Sequence, residues 1–120
     1  MSNFLNLEIY KLTKAFYLES RALLKDTRAD YFIKSQFQRA AHSVNLNLVE
    51  GTSRITWPSR RNFYIIARGS VLECMTILDL LKEEGFITIQ QFQYHFNKAD
   101  QISRILYAMI NKKGVTKNGA

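Results

Sequence analysis

The chain has 120 residues, 47% of them apolar, and a formal charge of +7. That length holds one domain with a real core and excludes two, and that apolar fraction excludes a disordered chain. The charge is polarised, with +5 on residues 31–72, +4 on residues 101–120 and −3 on residues 73–100; such separation points to a polyanionic partner rather than to solubility alone.

The opening Met1-Ser2-Asn3-Phe4-Leu5 has no basic segment followed by an apolar run, so no signal peptide is expected. No apolar run approaches the roughly 18–20 residues that span a bilayer, and a cytoplasmic protein without membrane contact is expected. The first helix is predicted from about Phe4 to Leu24, with Leu5, Ile9, Leu12, Phe16 and Leu23 on one face. Lys25-Asp26-Thr27 breaks it, and Thr27 followed by Asp30 resembles a capping box with a shorter acid.

The second helix is predicted from about Arg28 to Ser53 on the stripe Ile33, Phe37, Ala40, Val44 and Leu48, and Gly51 weakens its last turns. Arg54-Ile55-Thr56-Trp57 makes a turn. Thr56 or Trp57 is the expected cap, with Pro58 in the first turn of the third helix, where its missing N–H costs nothing. That helix runs from about Pro58 to Glu84 on Phe63, Ile66, Ser70, Cys74, Ile77 and Leu81, and Gly85 ends it.

Thr88 with Gln91 is a capping box for the fourth helix, which carries Phe92, Phe96, Ala99, Ile102, Leu106 and Met109 and closes at Lys112-Lys113-Gly114. A frayed tail is expected from Thr116 to Ala120, beyond a single domain over residues 1–115. Four long helices with short connections predict an all-α, up-down-up-down antiparallel four-helix bundle. Ile65 and Leu72 on the third helix, and Leu46 and Val49 on the second, widen the apolar stripes beyond one core face. A stripe that wide points to self-association.

The segment Gln36-Phe37-Gln38-Arg39-Ala40-Ala41-His42-Ser43-Val44 continues through Asn47-Leu48-Val49-Glu50-Gly51 and Arg54. It is followed by Phe63-Tyr64-Ile65-Ile66-Ala67-Arg68-Gly69-Ser70 and Glu73. Two motifs in this order resemble the hallmark segments of the four-helix-bundle proteins named after the 23S rRNA intervening sequences. Leu7-Glu8-Ile9-Tyr10-Lys11 and Gly85-Phe86-Ile87 extend the resemblance over nearly the whole chain. Asn45 stands where the family often has proline, which should leave the second helix straighter, and Leu48-Val49 replaces Ile-Ala.

The resemblance implies a compact four-helix bundle assembled into a homopentameric ring. A relative of the family, the accessory protein of diversity-generating retroelements, pairs with a reverse transcriptase and binds nucleic acid. The family name refers to a genomic location, not to a ribosomal role.

Enzymatic chemistry finds little footing. A di-iron bundle needs paired Glu-x-x-His motifs, and neither His42 nor His95 follows a Glu by three residues. The single cysteine, Cys74, has no spaced partner for zinc. It reads as a buried inert thiol in a reducing compartment. No metal and no cofactor are expected, and Gly51 and Gly69 are too isolated to form a phosphate loop.

Gln36, Arg39, Asn47, Glu50, Arg68, Ser70 and Glu73 read as a structural polar network that fixes helix register. Asn47, Glu50 and Arg54 share one face, Arg68 approaches Gln36, Arg39 or Glu50, and Gly69-Ser70 allows close helix packing.

Arg60 and Arg61 differ, because their charge opposes the dipole at a helix start. Phosphate binding there, aided by Trp57, would compensate; the bland alternative is a solvated turn with Trp57 folded onto the protein. The candidate nucleic-acid contacts are therefore Arg54, Trp57, Arg60, Arg61, Lys112 and Lys113, with Lys117 as a loose addition. With no helix-turn-helix, zinc finger or RNA-recognition motif, the sequence predicts a non-enzymatic homo-oligomer that binds RNA or DNA through phosphates. The competing expectation is a scaffold that docks a nucleic-acid-processing partner such as a reverse transcriptase.

Overall fold

The computed structural model describes residues 4–112. A short 3₁₀ turn, Phe4–Asn6, leads into four helices: α1 (Glu8–Lys25), α2 (Tyr31–Ser53), α3 (Trp57–Glu83) and α4 (Ile89–Ile110). Lys113, Lys117 and the expected tail from Thr116 lie outside the described residues. Among the described residues there is no strand, and no helix is long and apolar enough to cross a membrane.

The helix ends follow local chemistry. Asp30 caps α2 by accepting the Ile33 N–H at 2.9 Å. This corrects the expected Thr27–Asp30 box: Thr27 instead donates its hydroxyl to the Leu24 carbonyl at the end of α1, and α2 starts at Tyr31 rather than near Arg28. Thr56 caps α3 with Pro58 in the first turn.

Gly85, at φ +81°, ends α3. Its N–H donates to the Lys82 carbonyl at 3.0 Å and the Phe86 N–H reaches back to Leu81 at 2.9 Å, the paired bonds of a Schellman motif that favours glycine at this position. Thr88 and Gln91 form the expected reciprocal box, at 2.8 and 3.0 Å.

The core is assembled mainly between α2, α3 and α4, with α1 packed more lightly against α2 and α4. Phe16, Leu24, Phe37, Val44, Leu48, Val71, Leu78, Leu81, Ile102 and Leu106 are its largest fully buried apolar side chains. On α3 the buried line is Tyr64, Ala67, Val71, Cys74, Ile77, Leu78 and Leu81. Its first half is one residue out of phase with the expected Phe63, Ile66 and Ser70. The small Ala67 sits fully inside and the larger Ile66 stays 44% exposed, because a helix seam is filled by what fits between neighbours and not by the most apolar residue.

On α1, Thr13, Ser20 and Leu24 are buried and Leu5 is exposed, where the stripe placed Leu5, Leu12 and Leu23 inside. Burial of Thr13 is matched by hydrogen bonds. Its hydroxyl lies 2.8 Å from Asn45 Oδ1 and 3.0 Å from the Tyr10 carbonyl. The Asn45 amide donates to the Ala41 and Thr13 carbonyls. Asn45, the departure from proline, thus ties α2 to α1.

Candidate nucleic-acid interface

The end of α2, the start of α3 and the end of α4 meet at one place. There the connection Arg54-Ile55-Thr56 brings Arg54, Trp57, Arg60 and Arg61 together, and Arg61 links them to the last turn of α4. Arg61 Nε donates to the Ile110 carbonyl at 3.1 Å. It supplies a cation at the negative end of α4, the role expected of Lys112 and Lys113; α4 itself ends at Ile110. Trp57, Pro58, Arg61, Ile110 and Asn111 line a shallow cleft between the two helix ends, and exposed Lys112 follows directly.

Each arginine has one engaged edge. Arg54 pairs with Glu50 at 2.6 Å and lies 4.7 Å from the Phe63 ring centroid, so Phe63 acts as a platform for a cation rather than as core. Arg60 Nε donates to the Arg54 carbonyl. Among the described residues, the terminal nitrogens of Arg60 and Arg61 make no hydrogen bond.

The backbone of this helix start offers little to a phosphate. Pro58 has no N–H, Ser59 N–H faces Thr56 Oγ1 at 3.4 Å and Arg60 N–H is taken by the Thr56 carbonyl. A phosphate here would therefore be held by side chains rather than by the helix end. Trp57 is half-buried and packs against the core, leaving only part of its ring at the cleft.

The expected polar network does not form as one unit. Arg68 turns away from α2: its Nε donates to the Ser103 carbonyl on α4 at 3.3 Å and its guanidinium lies 5.1 Å from the Tyr107 centroid. Ser70 bonds Ser43 Oγ at 2.9 Å, and Asn47 donates to Ser43 at 2.9 Å, which joins α2 to α3. The Glu50 carboxylate pairs, among the described residues, with Arg54. Gln36, Arg39 and Glu73 make no hydrogen bond or ion pair with any described residue.

The glycines exchange their expected roles. A Cβ at Gly69 would meet nothing within 4 Å, so no neighbouring helix approaches it. Gly51 is the position where helices press together.

A second polar cluster lies between α1 and α4 and went unrecognised in the sequence. Tyr94 donates to Glu19 at 2.8 Å and Lys98 pairs with the same oxygen at 3.2 Å. The Tyr94 hydroxyl, with Lys98 assisting and burial opposing, holds the Glu19 carboxyl below its ordinary range. Burial lowers the His95 pKa, with the Glu19 charge opposing, and its Nδ1 has no partner among the described residues. No spacing rule joins residues seventy-five apart.

Cys74 is buried, and desolvation, with the Glu73 charge second, pushes its thiol far above the usual range; it is no nucleophile at neutral pH. Among the described residues, no group of three His, Cys, Asp or Glu side chains could hold a metal ion.

The model of the 23S rRNA-intervening sequence protein family matches residues 2–108. A similar solved structure is the crystal structure of a protein with unknown function from the S23 ribosomal protein family of Bacteroides thetaiotaomicron VPI-5482. It superposes with a TM-score of 0.80 at 20% identity, covering 87% of this chain and 99% of that one; at that identity the likeness shows the fold alone. No protein of curated function matches the chain.

Proposed function

Because the chain belongs to the 23S rRNA-intervening sequence protein family, we propose that it is a non-enzymatic, homo-oligomeric basic protein that binds nucleic acid, RNA or DNA, mainly through phosphates. Arg54, Arg60, Arg61 and Lys112 supply the contacts, Lys113 extends them, and the cleft-facing part of Trp57 offers a stacking surface. The observation that carries this reading is the convergence of three helix ends at Arg60 and Arg61, whose terminal nitrogens are unengaged among the described residues. Guanidinium groups so placed match phosphate geometry. Contacts of this kind position a polymer without reading its bases, so no sequence preference is expected.

The same reading includes an up-down-up-down order and a homopentameric ring in the cytoplasm. Arg61 meets Ile110 while Arg68 meets Ser103, a register that supports antiparallel α3 and α4. A ring would repeat the basic end around its axis, so that weak contacts add through avidity.

The test is binding of nuclease-treated protein to labelled RNA and DNA across a salt series, beside an Arg60→Glu/Arg61→Glu variant whose assembly is checked by sizing. Binding should weaken steeply with salt and be lost in the variant. Absence of binding to either polymer at low salt would overturn the reading. The basic end would then be a docking surface for an acidic, nucleic-acid-processing protein such as a reverse transcriptase.

A further inference from the structure

A second cleft lies away from the basic end, between the last turn of α1, the start of α4 and the connection that follows α3. Its volume is about 340 Å³, at the small end of the range for ligand sites. His95 on its wall and Ile110 at the basic end are separated by roughly 20 Å along α4, from the helical rise per residue.

His95 is only 7% exposed and forms part of the cleft wall. Its Nδ1 has no hydrogen-bond partner among the described residues. A buried nitrogen left unpaired is costly, and in a native fold it calls for a partner from outside the chain. Burial lowers the His95 pKa, so at neutral pH the ring is uncharged and one of its nitrogens is an acceptor.

The rim carries two carboxylates with unused capacity. Glu19 receives both Tyr94 and Lys98 on Oε1, which leaves Oε2 without a partner among the described residues. Asp26 is exposed, and among the described residues its side chain makes no hydrogen bond or ion pair. It stands at the C-terminal end of α1, where the helix dipole also favours a cation. The start of α4 faces the same cleft, but Thr88 and Gln91 close it on themselves. A water molecule would satisfy the His95 nitrogen and leave these charges unanswered.

The spacing narrows the cation. Glu19, Asp26 and His95 are not placed to hold one metal ion together. Glu19 and Asp26 are seven residues apart on α1, two helical turns, or roughly 10 Å. A four-carbon diamine with a hydrogen bond at each end spans about that distance. Leu23, between the two acids, and Phe86 give its methylenes an apolar wall.

We propose that this cleft binds a short aliphatic diammonium, one end on Asp26 and the other at Glu19 and His95, with the methylenes against Leu23 and Phe86. The proposal rests neither on nucleic-acid binding nor on assembly.

The test is a titration of the full chain, freed of nucleic acid, at neutral pH and constant ionic strength. The probe is 1,4-diaminobutane, and the readout is the imidazole resonances of His95, assigned with His95→Gln. They should shift and saturate at millimolar diamine, whereas magnesium chloride should give no saturable shift. Butylamine keeps the chain length and one ammonium, and should bind about fivefold more weakly, the upper end of what an exposed ion pair contributes. Asp26→Asn alters a side chain without a partner among the described residues, so the melting temperature should hold. The variant should bind the diamine no better than butylamine.

No saturable shift through tens of millimolar diamine overturns the site, and so does an equal response to magnesium. Equal affinity for the two amines in the wild type, or an Asp26→Asn variant that still prefers the diamine, overturns the two-ended recognition.

Discussion

Gly51 is pressed against the ring of Tyr64: a Cβ at Gly51 would fall 2.7 Å from Tyr64 Cε1 and 2.9 Å from Cδ1. Both residues are buried, and Phe63 Cβ closes the other side at 3.1 Å. The last turn of α2 and the second turn of α3 can therefore approach only because position 51 lacks a side chain.

Gly51→Ala should destabilise the protein. The substitution gains roughly 1 kcal/mol of helix propensity but forces an aromatic ring out of a packed site, and overpacking costs about 1–3 kcal/mol. The net effect expected is a loss of up to about 2 kcal/mol, read from the urea midpoint. Gly69→Ala in the dissociated chain should do the opposite and stabilise by up to about 1 kcal/mol, since nothing opposes its methyl group. Equal signs for the two variants would refute the contrast.

The Thr13–Asn45 tie makes a second prediction. Thr13 is fully buried and its hydroxyl is 2.8 Å from Asn45 Oδ1; Asn45→Ala removes this tie between α1 and α2, while the hydroxyl keeps the Tyr10 carbonyl as acceptor. The expected cost is about 1 kcal/mol, the net worth of an ordinary hydrogen bond, falling on the lightly packed α1. A double-mutant cycle with Thr13→Val should show coupling above about 0.5 kcal/mol. Additive losses would mean that the two side chains act separately.

His95 sets a pH dependence. Burial lowers its folded-state pKa below the ordinary 6.5, so the unfolded chain takes up its proton first as pH falls. The neutral ring's contribution is complete above 6.5 and is lost progressively as pH falls from there toward the depressed value. Glu19 favours the charged ring and Lys98 opposes it. Glu19, whose own pKa is lowered, loses its contribution only at more acidic pH. Melting temperature should therefore decline as pH falls below 6.5, and His95→Gln should flatten that decline. A His95→Gln slope equal to wild type would place the cause elsewhere.

How much of this was legible in sequence depended on range. Asp30, Thr56, Gly85 and Thr88 act on backbone groups within a few residues; for Gly85 and Thr88 the local pattern sufficed, and for Thr56 it left Trp57 as an alternative. Asp30 was misread because Thr27 offered a competing pattern three residues earlier. Periodicity found Phe37, Ala40, Val44 and Leu48 on α2 and Ala99, Ile102 and Leu106 on α4, but Ile33, Phe92, Phe96 and Met109 are only half-buried, and His95, Ser103 and Ile110 are buried on α4 in addition. It slipped by one on the first half of α3, where Phe63, Tyr64, Ile65, Ile66 and Ala67 are all apolar and a period cannot choose a phase.

Partners were harder still. Arg68 bonds a residue thirty-five positions away, and Tyr94 bonds one seventy-five positions away. The clustering of Arg54, Arg60 and Arg61 was readable because they share one turn. The use of Arg61 to close α4 was not, because it spans forty-nine positions.

That double use separates the two arginines in the last prediction. Arg60 Nε reaches the Arg54 carbonyl within its own exposed turn, so Arg60→Gln should leave the melting temperature within experimental error. It should lower polymer affinity and reduce the slope of log K against log salt by about one. Arg61 fastens α3 to the end of α4. Arg61→Gln should therefore show the same loss of slope and also a destabilisation of about 1 kcal/mol, the net worth of an ordinary hydrogen bond. Arg61→Lys should retain part of the salt slope, since a charge remains, but not the bond from Nε. If Arg60→Gln left the salt slope unchanged while Arg61→Gln altered only the melting temperature, both side chains would be structural and phosphate contact would have to come from elsewhere on the chain.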